Sequence, residues 1–177
     1  NGNMMKKNFA YLKLSTFVLT AIAAAVLAGC GGGSTYSAAP APAPEPVAVN
    51  QLYSESNSSS NTIVRMARSA TDGSLTMVDS VSTGGLGTNG LTVAGTVAAA
   101  NSLGSQFAVT VSTNGKTLFA VNAGDDSISS FSIDSTGKLT LLKKNITTGT
   151  FPNSLAYSKG YLYASFLGTS QVIAYKV

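Results

Sequence analysis

A block of sequence recurs 44 residues further along this chain, and that recurrence restricts the folds open to it. Thr117-Leu118-Phe119 matches Tyr161-Leu162-Tyr163. At the same displacement Gly124 meets Gly168, Ile128 meets Val172, Phe131 meets Tyr175 and Ile133 meets Val177. A fainter earlier copy sets Leu52-Tyr53, Ile63 and Gly73-Ser74-Leu75 against Leu118-Phe119, Ile128 and Gly137-Lys138-Leu139. Within each copy, short β-branched and aromatic runs are divided by turn chemistry: Asp72-Gly73, Asn114-Gly115, Ser135-Thr136-Gly137 and Lys159-Gly160. Ten antiparallel strands are expected, at Asn50–Ser56, Thr62–Ala67, Ser74–Ser82, Phe107–Ser112, Thr117–Asn122, Ser127–Ile133, Leu139–Asn145, Ser154–Ser158, Tyr161–Phe166 and Gln171–Val177. Helical periodicity is a possibility only within Leu91 to Ala100. Four strands on a period of ~40–45 residues are the mark of a β-propeller blade.

Counted outward from the ring axis as a to d, the strands read b-c-d, then a-b-c-d, then a-b-c. The expected fold is therefore all-β, a partial propeller of about three blades out of a larger ring. Blades bury their faces on their neighbours, and rings close with ~4–8 of them. An open arc leaves two faces and their edges to water. The expectation is that this is the N-terminal part of a longer chain.

The same residues carry a family resemblance. Leu103-Gly104-Ser105-Gln106, then Ser112 through Gly124 (STNGKTLFAVNAG), Asp126-Ser127-Ile128, Gly137-Lys138-Leu139 and Gly149 through Ser154 resemble the lactonase-like propellers with YVTN-type repeats. The resemblance runs from about Gln51 to Val177 and departs at Ala164-Ser165, where the family usually carries Val and Asn. It implies seven blades. It also implies kinship with 6-phosphogluconolactonases and with relatives labelled carboxymuconate cyclases, alongside secreted or lipid-anchored members of no established activity.

The first 47 residues point elsewhere. Lys6, Lys7 and Lys13 precede an uncharged run, Leu14 to Gly29, that ends in Leu27-Ala28-Gly29-Cys30. A basic start, a short apolar segment and small residues before a cut site make an export signal. The run is shorter than the ~20 residues that span a bilayer. Leu-Ala-Gly-Cys in that position resembles the lipobox of bacterial lipoproteins, which implies diacylglycerol on the Cys30 thiol and a membrane as partner. An unmodified thiol behind an ordinary signal peptide is the alternative, and a spare thiol is a liability in an oxidising compartment. Residues 1–29 are thus read as signal peptide with read-through residues ahead of Met4, and 30–47 as lipidated Cys and flexible linker. Residues 48–177 are read as the truncated propeller with a loop insert at 84–106. Alternating Pro40, Pro42, Pro44 and Pro46 favour an extended spacer, although such a run also suits an aromatic groove. The expected location is the bacterial cell envelope, facing periplasm or exterior. Gly31 after the cysteine indicates outer-membrane sorting where the host has two membranes.

Charge and composition remove several classes of function. Without the three signal lysines, eight basic residues face seven acids, so the mature chain is near neutral and lacks the counterion-release drive for nucleic acid. The chain has no histidine and one cysteine. A Ser-His-Asp or Cys-His constellation and a His- or Cys-based zinc site are therefore outside its reach. Only Glu45, Glu55, Asp72, Asp79, Asp125, Asp126 and Asp134 carry carboxylates.

Strand direction places the b–c and d–a connections on one face of the ring. That face gathers 122–126, 166–170, 149–153 and the insert, and loops on a rigid scaffold are where binding residues concentrate. Asn122, Asp125, Asp126 and Asn153 are the ligand-binding candidates, with no catalytic residue and no cofactor assigned. Asp125-Asp126 suits either a calcium-type cation or general-base work, or else a turn in which Asp accepts backbone hydrogen bonds. Thr169-Ser170 in the next blade favours the turn. Gly85-Leu86-Gly87-Thr88-Asn89-Gly90 fits G-x-G-x-x-G but lacks the βαβ unit and the later acid, so a loop insert is the better reading. Tyr157, Tyr161, Tyr163, Phe166 and Tyr175 form either a recognition set or packing between blades. No nucleophile elbow or P-loop occurs. The leading expectation is a tethered module binding a small molecule, glycan or protein. A lactone hydrolase and a purely structural envelope protein are the alternatives.

Overall fold

The computed structural model describes residues 50–97 and 101–177; the expected signal, Cys30 and the Pro-rich linker lie outside them. Ten strands occur: β1 (Gln51–Glu55), β2 (Thr62–Arg68), β3 (Leu75–Ser82), β4 (Val109–Val111), β5 (Thr117–Asn122), β6 (Ser127–Ile133), β7 (Leu139–Ile146), β8 (Pro152–Ser158), β9 (Tyr161–Phe166) and β10 (Gln171–Lys176). They form three antiparallel sheets, β1-β2-β3, β4-β5-β6-β7 and β8-β9-β10, each a run of consecutive strands. This is the expected b-c-d, a-b-c-d, a-b-c division, an all-β partial propeller.

The repeat seen in the sequence reappears in the ladders. β2–β3 shifts register between Arg65 and Met66, leaving Val78 as the extra residue, and β6–β7 shifts between Ser130 and Phe131, leaving Leu142. Both bulges sit in the pairing with the outer strand, where extra local twist turns the sheet away from its neighbour. β4 is shorter than the expected Phe107–Ser112. The Phe107 carbonyl instead accepts from Leu155 N (2.8 Å), which ties the second sheet to the third, and Ser112 N turns back onto the Thr117 carbonyl.

β5 is the centre of the packing. Its alternate residues serve two different seams, as period-2 side-chain direction requires. Leu118 and Ala120 pack with Ile63, Phe131 and Leu139 between the first and second sheets. Phe119 and Val121 pack with Ile128, Leu155, Leu162 and Phe166 between the second and third. A strand covered on both faces reads as a continuous apolar run, here Leu118-Phe119-Ala120-Val121. Burying a Leu or Phe side chain contributes ~1.5–3 kcal/mol, so these seams hold the sheets together. Phe119 also stacks on Tyr157 across the second seam (centroids 5.9 Å apart, planes at 15°).

The insert is not helical over 91–97. Leu91 and Val97 form an isolated bridge, closed by Thr92, whose N–H donates to the Thr96 carbonyl. No helix occurs among the described residues.

Candidate functional site

The connections expected on one face do meet there, through backbone contacts. Gly124 N donates to the Leu86 carbonyl (2.9 Å), and one repeat later Gly168 N donates to the Thr150 carbonyl (3.1 Å). Each b–c turn therefore rests on the preceding d–a connection. A Cβ on Gly124 would stand 2.2 Å from the Gly87 oxygen, and one on Gly168 would stand 2.4 Å from Thr150 Oγ1. The repeated glycine is a close-approach requirement. The same holds for the G-x-G-x-x-G match. Gly85 lies against the Asn122 amide and Gly87 against the Asn57 carbonyl, so those glycines admit neighbouring protein and no phosphate.

Asp126 is a staple between two connections. Its carboxylate accepts from Phe151 N (2.7 Å), and its carbonyl accepts from Thr147 N (2.8 Å) and Thr147 Oγ1 (2.7 Å). It adopts φ 53°, and Ser170 at the equivalent position adopts φ 52°, a left-handed turn residue in both repeats. Asp125 accepts from Ser127 Oγ (2.7 Å) and from Lys144 Nζ (2.9 Å). The two carboxylates thus serve different partners, and a lysine ammonium already stands at Asp125. Among the described residues no three acidic or thiol side chains converge on a point where a metal ion would sit.

Asn122, expected to face a ligand, is instead fully buried. Its amide donates to Ser127 Oγ (3.0 Å) and Ser129 Oγ (2.9 Å), and its oxygen accepts from Asn61 Nδ2 (3.0 Å). As the last residue of β5, it follows that strand into the core. Asn61 is equally buried and also donates to the Val121 carbonyl (3.1 Å), while its oxygen accepts from Asn57 N (3.0 Å). Ser129 Oγ donates to the Thr83 carbonyl (2.7 Å), so one polar network locks the first sheet, the start of the insert and the second sheet. Asn153 remains near the surface, accepting from Ser165 Oγ (2.8 Å). Of the aromatic set, Tyr157, Phe166 and Tyr175 pack in the second seam, whereas Tyr161 and Tyr163 lie exposed on the third sheet.

The residue that sequence reasoning did not single out is Glu55. It ends β1 and helps line a hollow of about 430 Å³ between the first and second sheets, together with Tyr53, Asn57, Ser102, Leu103 and Val109. Both carboxylate oxygens are closed off from solvent, and neither has a hydrogen-bond partner. Burial pushes its pKa up to about 8, and the nearby Asn61 amide pulls it back only partly. That amide cannot serve as a full donor, because both its hydrogens go to Val121 and Asn122. Burial thus favours the neutral acid over the carboxylate. Beside it, Tyr53 donates to the Gly137 carbonyl (2.7 Å), and burial also raises its pKa. The insert forms the opposite wall. Asn57 pins it by donating to Thr88 Oγ1 (2.7 Å) and Ser102 Oγ (3.1 Å). The signal for Glu55 was parity: Gln51, Tyr53 and Glu55 share the less exposed face of β1, an unusual direction for a carboxylate.

Comparison with known proteins agrees with this architecture. The sequence profile of the family described as "Lactonase, 7-bladed beta-propeller" matches residues 57–177. The chain belongs to the lactonase family of seven-bladed β-propellers. Among solved structures, a Lactobacillus plantarum protein shares 20% identity at a TM-score of 0.50, over 67% of this chain and 31% of that one. A Pseudomonas aeruginosa periplasmic gluconolactonase shares 20% identity (TM-score 0.48; 67% of this chain, 30% of that one). A functionally unknown Desulfotomaculum acetoxidans protein shares 19% (TM-score 0.46; 68% and 35%). The chain therefore spans about a third of the length of these lactonase-fold structures. A search of curated proteins finds no match.

Proposed function

We propose that this chain supplies the first blades of a lipid-anchored envelope propeller that binds a small polar molecule on its connection-bearing face. The observation that carries the reading is the stacking of successive connections, Gly124 N on the Leu86 carbonyl and Gly168 N on the Thr150 carbonyl, which gathers the b–c and d–a connections into one rigidly held face. Loops held on a rigid scaffold are where binding residues concentrate. The Leu-Ala-Gly-Cys sequence supports attachment through Cys30, followed by the Pro-rich spacer. Near-neutral charge argues against nucleic acid as partner.

The second reading, a lactone hydrolase, is favoured by the lactonase family match. A shared fold does not fix chemistry. Two measurements on the full-length protein test these readings. Cys30→Ser is expected to move the protein from membrane to soluble fractions, and continued membrane attachment overturns the anchor. Calorimetric binding of glucono-δ-lactone without turnover supports the binding module, whereas turnover supports the hydrolase.

A further inference from the structure

We infer that Asn89 is a modification site, where spontaneous loss of side-chain ammonia converts the asparagine to isoaspartate and loosens the insert from the first sheet. The site is independent of the binding reading above. Asn89-Gly90 and Asn114-Gly115 are the Asn-Gly pairs among the described residues. Glycine has no side chain to screen its nitrogen, which can therefore reach the side chain of the preceding asparagine. Sequence alone ranks the two pairs equally. The structure separates them.

Asn114-Gly115 is locked. The Asn114 side-chain oxygen accepts from Ser112 Oγ (2.7 Å) and Lys116 N (3.0 Å), and Gly115 N donates to the Ser112 carbonyl (2.8 Å). Both reacting groups are held, as local side-chain-to-backbone bonds hold many asparagine turns. Asn89-Gly90 is open. The Asn89 side chain is exposed, and among the described residues neither it nor Gly90 N makes a hydrogen bond. A Cβ built on Gly90 would meet nothing within 4 Å. What closes the turn is Leu91 N, which donates to the Thr88 carbonyl (3.0 Å).

The chemistry needs only water. The Gly90 nitrogen gives its proton to solvent and bonds to the carbonyl carbon of the Asn89 side chain. The bond from that carbon to the side-chain nitrogen breaks, and ammonia leaves with a proton from water. Water then opens the five-membered imide at either carbonyl. One opening gives aspartate; the other leaves the main chain running through the side-chain carbon, as isoaspartate. Nothing is oxidised or reduced. The product is a carboxylate in a stretch, Ser80 to Gly115, that holds no charged side chain. It also adds a main-chain carbon beside the contacts that pin the insert, Asn89 N on the Asn57 carbonyl (3.0 Å) and Thr88 N on Asn57 Oδ1 (2.8 Å). Those contacts lose their register, and the insert loses part of its hold on the first sheet.

The test ages full-length protein at mildly alkaline pH, in native buffer and in urea, and follows both sites by peptide mapping with mass spectrometry. In native buffer Asn89 is expected to convert about tenfold faster than Asn114 or more, because more hydrogen bonds must open at Asn114 before it reacts. In urea the two rates converge. Ser112→Ala removes one of the bonds to Asn114 and is expected to speed conversion there severalfold while leaving Asn89 unchanged; circular dichroism shows that the variant has folded. Hydrogen exchange at the Thr88 amide reads the loosening and is expected to quicken in aged protein. Equal native rates at the two positions overturn the site. So does an Asn89 that stays intact in native buffer while the urea-unfolded chain converts. Unchanged Thr88 exchange after conversion overturns the effect on the insert.

Discussion

Replacing Glu55 with Gln removes an ionisable group and keeps its size, so the stability difference between the two proteins isolates the proton. The folded carboxyl has its pKa raised from the ordinary 4.5 to about 8. Between those values the native state keeps a proton that the unfolded chain has lost, so wild-type stability falls as pH rises. The proton's contribution is fully present below pH 4.5 and is lost as pH climbs through about 8. At 1.36 kcal/mol per unit, the penalty on wild type is roughly 3 kcal/mol at neutral pH and approaches ~5 kcal/mol above pH 9. Glu55→Gln escapes it. The buried amide has its own desolvation cost, but that cost does not vary with pH and cancels from the trend. Urea unfolding of the full-length proteins, followed by circular dichroism from pH 4.5 to pH 9, reads the gap directly. A gap that stays flat across that range refutes the buried-acid argument.

Three further outcomes follow from the packing of the connections. Gly124→Ala places a methyl 2.2 Å from the Gly87 oxygen and is expected to cost ~2 kcal/mol or more, whereas Gly160→Ala, at φ 80° with open space around it, costs ~1 kcal/mol; equal losses in chemical denaturation count against the close-approach account. Asn61→Ala leaves the buried Asn122 oxygen without its donor and should cost ~2–3 kcal/mol, lowering the melting temperature by several degrees. Asp126→Ala loses the bond from Phe151 N and should cost ~1 kcal/mol, while calcium chelation leaves the melting temperature unchanged; a chelator-induced drop restores the cation reading of Asp125-Asp126.

The strands were legible because their signals are local. Alternation marks β1 and β6, turn residues bracket most of the others, and the 44-residue echo orders the last two sheets. β8 starts earlier than expected because its bulge lets Pro152 join the ladder. The insert was not legible, since its path is set by distant partners: Asn57 on Thr88, Gly124 on Leu86. Asn122 was hidden for the same reason. Loop position suggested that Asn122 was available, yet its three partners, Asn61, Ser127 and Ser129, draw it inward. Glu55 lay in an unremarkable alternation, and only the wall opposite it, which begins some 45 residues later at Asn101, makes it unusual.

The two-sided burial of β5 sets a schedule for biosynthesis. Ile63 emerges from the ribosome long before Leu118 and Phe131, the residues that cover it. Until translation reaches β6, the first sheet has nothing to lean on and must wait as an exposed hairpin pair. Such late, sequence-distant pairing slows folding and leaves the nascent chain open to aggregation. A transport route that keeps the polypeptide unfolded until it is complete removes that hazard.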